Sequence, residues 1–235
     1  MGWLAPLLIR TKLFFQKLWI KNYDWDQPLK ESDQKTWIEL SQAATGFHKV
    51  ISRKATENTA KHRLVTCADA STTTMAACTY IAHEGEQTLI MARTKLPSIK
   101  EKHTIPKMEM NAVTIAARLS LTIYEELRKA ININEIVILT DSEIGLNWIK
   151  SPKEKKFRGL LVTNRINETM KIVEKLRDEG VDIQFGYIAT QHNPADCATR
   201  GLTAEELKNH NWWDGPDFSR KHRREWPSET QLFTP

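Results

Sequence analysis

The segment Ile136-Val137-Ile138-Leu139 is a short unbroken apolar run that ends at Asp141. A strand that is apolar at every position needs cover on both faces, so it belongs in the middle of a sheet. Other strands are legible around it. Leu64, Val65, Cys67 and Ala68 lead into Asp69, and 77–82 and 88–94 follow with a turn at Gly85, the pattern of an antiparallel meander. A long helix comes next, with Thr104 as N-cap and Pro106 in its first turn. Met108, Ala112, Ile115, Leu119, Ile123 and Leu127 form its apolar stripe. Past Asp141 a short helix is expected, then a second long one through Val162, Ile166, Met170, Val173 and Leu176. The last strand covers 181–188, Asn193-Pro194-Ala195-Asp196 opens a short helix, and Thr203 with Glu206 makes a capping box. The order reads as α/β, a mixed five-stranded sheet flanked by helices.

The first sixty residues differ. Leu7, Leu8, Thr11, Phe14, Phe15, Leu18 and Trp19 recur at helical spacing, and a second helix is expected through Trp37, Leu40, Ala43, Ala44 and Phe47. This prelude is expected to pack its apolar stripe on the following domain. Arg10, Lys12 and Lys17 interrupt it well short of the roughly 20 apolar residues of a membrane span. No signal-peptide pattern marks it, and Pro6 stands where myristoylation needs Ser or Thr. The expected division is 1–60 prelude, 61–202 main domain, and 203–235 a helix, a Trp212-Trp213 latch and a basic tail. Cys67, Cys78 and Cys197 are too scattered for a disulfide framework or a zinc site, which points to a reducing, intracellular compartment. A net charge of +5 favours a polyanionic partner without demanding one.

Four acids sit where such a sheet would gather them. Asp69 and Asp141 end the first and fourth strands, Glu109 lies early in the long helix, and Asp196 starts the late one. If those strands pair, their ends lie about 5 Å apart, close enough for two carboxylates to share a cation. Each acid alone has an ordinary reading as turn or helix-start chemistry. The ordered set does not.

The segments Val65-Thr66-Cys67-Ala68-Asp69-Ala70-Ser71, Ile105-Pro106-Lys107-Met108-Glu109-Met110, Leu139-Thr140-Asp141-Ser142 and Asn193-Pro194-Ala195-Asp196-Cys197-Ala198-Thr199-Arg200-Gly201 carry a resemblance. They resemble the ribonuclease H-like region of BEL/Pao-type LTR retrotransposon polyproteins. Thr163-Asn164-Arg165 and Trp212-Trp213-Asp214-Gly215-Pro216 are similar to later motifs of that region. The prelude resembles the segment joining it to the reverse transcriptase. The resemblance implies a ribonuclease H-like fold and hydrolysis of the RNA strand of an RNA–DNA hybrid. It assigns Asp69, Glu109, Asp141 and Asp196 as catalytic ligands of two Mg²⁺ ions, with Mn²⁺ as a substitute.

Substrate contacts are expected from Ser71, Ser142, Asn164, Arg165 and Asn193, and from the basic connector of Lys150, Lys153, Lys155, Lys156 and Arg158. The reverse transcriptase part of the same polyprotein is the implied protein partner, and the implied setting is cytoplasmic, including virus-like particles. Two other readings share the fold: a catalytically silent nucleic-acid-binding module, or a polyprotein scaffold. The family region also carries a peptidase label. A retroviral-type aspartic peptidase needs Gly two residues after its Asp, whereas Asp69-Ala70-Ser71 and Asp141-Ser142-Glu143 lack it. His192 stands directly before Asn193 and is not assigned the mobile-loop role of the histidine in cellular ribonucleases H.

Overall fold

The computed structural model describes residues 2–52, 54–56, 61–83, 85–101, 103–152 and 159–235. The strands are β1 (Lys61–Ala70), β2 (Met75–His83), β3 (Glu86–Lys95), β4 (Asn132–Thr140) and β5 (Asp182–Tyr187). They form one sheet in the order β3-β2-β1-β4-β5. β1, β2 and β3 pair antiparallel, while β4 runs parallel to both β1 and β5. The expected first strand starts later than the observed one. β1 is longer because neighbours on both sides satisfy its backbone along most of its length.

Helices α1 (Ala5–Ile20) and α2 (Glu31–Ala44) precede the sheet, α3 (Ile105–Leu127) joins β3 to β4, and α4 (Glu143–Lys150) and α5 (Gly159–Asp178) join β4 to β5. The short helices α6 (Ala195–Arg200) and α7 (Ala204–Lys208) follow. Alternation along β4 divides the core. Ile136 and Ile138 join Met108, Ala112, Ile115, Leu119 and Ile123 of α3, with α5 packed behind. Val137 and Leu139 face the other way, onto α6, Leu207 and Trp212. The apolar run is thus buried on both faces, and α3 turns its expected stripe to the sheet with Leu127 half-buried at its end. Thr203 and Glu206 form the capping box of α7.

The prelude departs from its expected phase. α1 buries Ala5, Leu7, Ile9 and Phe14, whereas Leu8, Phe15 and Trp19 are exposed. The reason is partial docking. α1 contacts α6, α7 and β3, tied to the β3 edge by Lys12 Nζ to Thr94 Oγ1 at 2.6 Å and Trp3 Nε1 to Ile90 O at 2.8 Å. Its last turns reach Pro97 O through Gln16 Nε2 at 2.9 Å and meet the second helix, where Trp37 lies 6.3 Å from Phe14 and 5.6 Å from Phe15 between ring centres. α2 itself buries only Asp33, which accepts hydrogen bonds from Lys21 Nζ and Tyr23 Oη. Among the described residues, no helix is long and apolar enough to cross a membrane.

The chain ends close on the sheet. Trp212 is fully buried and donates through Nε1 to Trp3 O at 2.7 Å, while Trp213 donates to Leu207 O at 2.6 Å. Beyond the basic residues of the tail, its last residues add a short bridge to the β5 edge. Phe233 and Phe185 exchange both backbone hydrogen bonds, at 2.8 and 2.9 Å. Gly186 makes this possible, because a Cβ there would lie 2.6 Å from Leu232 Cδ2 and 2.7 Å from Thr230 O. Gly186→Ala is therefore expected to lift the tail, at a cost near the lower end of the overpacking range, about 1–3 kcal/mol. Hydrogen exchange checks it. The amides of Phe185 and Phe233 should exchange about tenfold faster or more, with Ile183 unchanged; equal protection in wild type and variant would refute the fit.

Candidate active site

Parallel pairing aligns Ala68 with Thr140, so Asp69 and Asp141 follow at matching positions on neighbouring strands, about 5 Å apart at the backbone. Both lie on the α6 side of the sheet, in phase with Cys67 and Leu139. Asp69 is 7% exposed and accepts a short hydrogen bond from Thr199 Oγ1 of α6. Burial is the main force on it and pushes its carboxyl up to about 6. The Thr199 hydroxyl opposes that rise, and the charges of Asp141 and Asp196 add to it. Asp196 is also held above the ordinary carboxylate range, by burial first and by Asp141; Arg200, 2.7 Å away through Nε, pulls it back. Asp141 accepts from Thr190 Oγ1 at 2.7 Å. Three of the four expected acids thus share one electrostatic site.

Glu109 joins through Ser142, the residue after Asp141. Ser142 Oγ donates to Glu109 Oε2 at 2.7 Å and accepts from Gly145 N at 2.9 Å, capping α4 with the same hydroxyl. Ser142 is buried, with its hydroxyl hydrogen-bonded inside the protein. Asn193 is likewise spent internally. Its Nδ2 donates to Ala68 O at 3.0 Å and its Oδ1 accepts from Ala195 N at 3.1 Å, fastening the start of α6 to β1 beside Asp69. Both side chains thus hydrogen-bond within the protein, Ser142 to Glu109 and Asn193 beside Asp69.

Ser71 shapes the β1–β2 turn, its Oγ accepting from Thr74 N at 3.0 Å. Asn164 is exposed on α5, and Arg165 reaches Asn111 Oδ1 at 2.7 Å and Glu168 at 3.0 Å. Lys153, Lys155, Lys156 and Arg158 lie outside the described residues. Lys150, at the end of α4, is exposed. Sequence reasoning assigned nothing to Thr190, Thr199 and Arg200, which hold three of the carboxylates. Thr199 and Arg200 lie one helical turn beyond Asp196, a spacing that was visible; Thr190 left no signal.

The donor set is all carboxylate oxygen, which suits a hard divalent cation. Like charges gathered around the buried Asp69 need such a counter-charge. Among the described residues, however, no three acids close on a common point as a ready-made cage. Each carboxylate is instead turned to a hydroxyl or guanidinium partner. The residue types fit Mg²⁺, and ligation requires the side chains to turn from these partners.

Three antiparallel strands continued by two parallel ones, with acids at the ends of β1 and β4, define a ribonuclease H-like protein. The chain belongs to the Pao retrotransposon-like RNaseH-like domain family, which matches residues 1–142 and so takes in Asp69, Glu109 and Asp141 but not Asp196. Comparison with curated proteins finds no sequence match. Among solved structures, the chain is similar to ribonuclease H1 from Halobacterium salinarum NRC-1, at 11% identity over 64% of this chain and 100% of that one, with a TM-score of 0.41. It is similar to LC11-RNase H1 in complex with an RNA/DNA hybrid, at 13% identity over 68% and 99%, with a TM-score of 0.40. It is also similar to a foamy viral protease–reverse transcriptase in complex with double-stranded DNA, at 16% identity over 75% of this chain but 33% of that one, with a TM-score of 0.46.

Proposed function

We propose that the protein is a retrotransposon-type ribonuclease H that hydrolyses the RNA strand of RNA–DNA hybrids with Mg²⁺, during reverse transcription. The observation that carries this reading is the Asp69 carboxyl, buried and raised to about 6 at a point where Asp141 and Asp196 also act. Burying like charges together is costly unless a cation completes the site. Bound there, two Mg²⁺ ions, or Mn²⁺ in their place, would activate a water for in-line attack and offset charge on the leaving 3′ oxygen.

The chain's own residues do the positioning. Thr199 and Asn193 fix Asp69 between β1 and α6, Ser142 aims Glu109, Thr190 holds Asp141, and Arg200 pairs with Asp196. Asn164, Arg165 and the connector lysines are the proposed backbone contacts, with the 2′-hydroxyl distinguishing RNA from DNA. The exposed aromatic end of the α1–α2 hairpin suits docking to the reverse transcriptase part of a polyprotein, in the cytoplasm. A second reading, a silent nucleic-acid-binding module, is favoured by the absence of a ready-made cage among the described residues.

A strand-specific label on an RNA–DNA hybrid tests the choice. The expected result is RNA-strand cleavage at millimolar Mg²⁺ and none with EDTA. Hybrid binding without cleavage under single-turnover conditions establishes the second reading instead.

A further inference from the structure

A second polar cluster lies on the same sheet face as the acids but far down it. Glu135 precedes Val137 and Leu139 on that face of β4, six residues before Asp141, which sets it roughly 20 Å away along the strand. One Glu135 oxygen accepts from Arg63 Nε and the other from Arg223 Nη2. Two guanidiniums thus share one carboxylate. The Arg223 guanidinium lies 3.8 Å from the centre of the Trp226 ring, which fixes its plane.

This arrangement leaves Arg223 Nη1 buried with no hydrogen-bond partner, and Thr230 Oγ1 is buried in the same condition although Thr230 is only 2% exposed. Both residues line one cavity of about 340 Å³, with Gln184 and Gln231 beside them. A guanidinium nitrogen can only donate, and a hydroxyl can donate as well as accept. Their partner would therefore be an acceptor; both atoms have almost no accessible surface, so the Arg223 and Thr230 side chains must turn towards the cavity to meet it. Glu135, which also lines the cavity, and the exposed Asp182 offset the cationic charge of Arg223, to which Arg63 adds.

We propose that this cavity is a phosphate-oxyanion site, separate from the carboxylate cluster, in which Arg223 and Thr230 are the donors. The oxyanion is supplied either by a nucleic-acid backbone or by free phosphate. The site stands on its own atoms and does not depend on catalysis. A backbone held at the acids would reach it in about six nucleotide steps of 3.4 Å.

The test follows the Trp226 indole N–H resonance of the full chain without Mg²⁺, titrated with inorganic phosphate against chloride at matched ionic strength, and separately with a short RNA–DNA hybrid. Saturable movement with phosphate identifies a free-phosphate site. Movement with hybrid alone identifies a phosphodiester site. In either case Thr230→Val, which leaves the Arg63–Glu135–Arg223 network intact, should weaken the response about tenfold, and Arg223→Met should remove it. If neither probe moves Trp226, or Thr230→Val responds as wild type does, water is the partner and the proposal is overturned, whatever the hybrid cleavage assay shows.

Discussion

Asp141→Asn is expected to lower single-turnover cleavage of an RNA–DNA hybrid by on the order of a thousandfold, the scale of losing one group that stabilises charge in a transition state. Hybrid binding should stay equal or tighten. Asn keeps the shape and can still accept the Thr190 hydroxyl, which now meets Asp141 Oδ2 at 2.7 Å, so the β4 end should not collapse. What it removes is one of the charges gathered around Asp69. Losing that charge weakens cation ligation and at the same time relieves repulsion towards a phosphate backbone, which separates the effect on cleavage from the effect on binding. Single-turnover rates with enzyme in excess isolate the cleavage step from product release. A variant that cuts within a few-fold of wild type would remove Asp141 from the catalytic machinery.

The parts of this molecule that were legible in the sequence are those where local pattern and tertiary burial coincide. The run 136–139 is apolar at every position because β4 is covered on both faces, and Met108 to Ile123 repeat at helical spacing because α3 lies along the sheet. The order of the acids along the chain was legible for the same reason, since Asp69 and Asp141 simply end two pairing strands. α1 was not legible in phase. Leu8, Phe15 and Trp19 are as apolar as Leu7, Ile9 and Phe14, and hydropathy cannot say which side meets α6 and β3. The partners of the carboxylates were hidden for a different reason. Thr199 reaches Asp69 across 130 residues and Thr190 reaches Asp141 across 49, and a hydroxyl has no pattern to betray such a contact. The same holds for Ser142 and Asn193, whose internal hydrogen bonds to Glu109 and Ala68 O left no pattern in the sequence.

Asp69→Asn is expected to stabilise the metal-free protein and to abolish its stabilisation by Mg²⁺. Raising a carboxyl from 3.8 to about 6 costs its ionised form about 3 kcal/mol in the folded state. Burial supplies most of that cost, with Asp141 and Asp196 adding to it. The sign follows from the direction of the shift. Above pH 6 the wild-type group is charged in both states and the folded state bears the penalty. As the pH falls through 6 towards 3.8 the folded state takes up its proton first, and the penalty disappears. Asn carries no charge and can still accept the Thr199 hydroxyl. Its advantage should therefore be largest near pH 7–8, up to about 3 kcal/mol, and should vanish by about pH 4. Magnesium inverts the ranking, because a cation that binds only the folded wild type adds stability as its concentration exceeds its dissociation constant, while the variant has lost the central ligand. Denaturant unfolding at pH 7.5 and at pH 4, in EDTA and in millimolar Mg²⁺, measures the penalty, its pH dependence and the contribution of the cation. A variant less stable than wild type in EDTA would mean that the Asp69 charge is compensated within the protein, and Mg²⁺ stabilisation that survives the substitution would place the cation elsewhere.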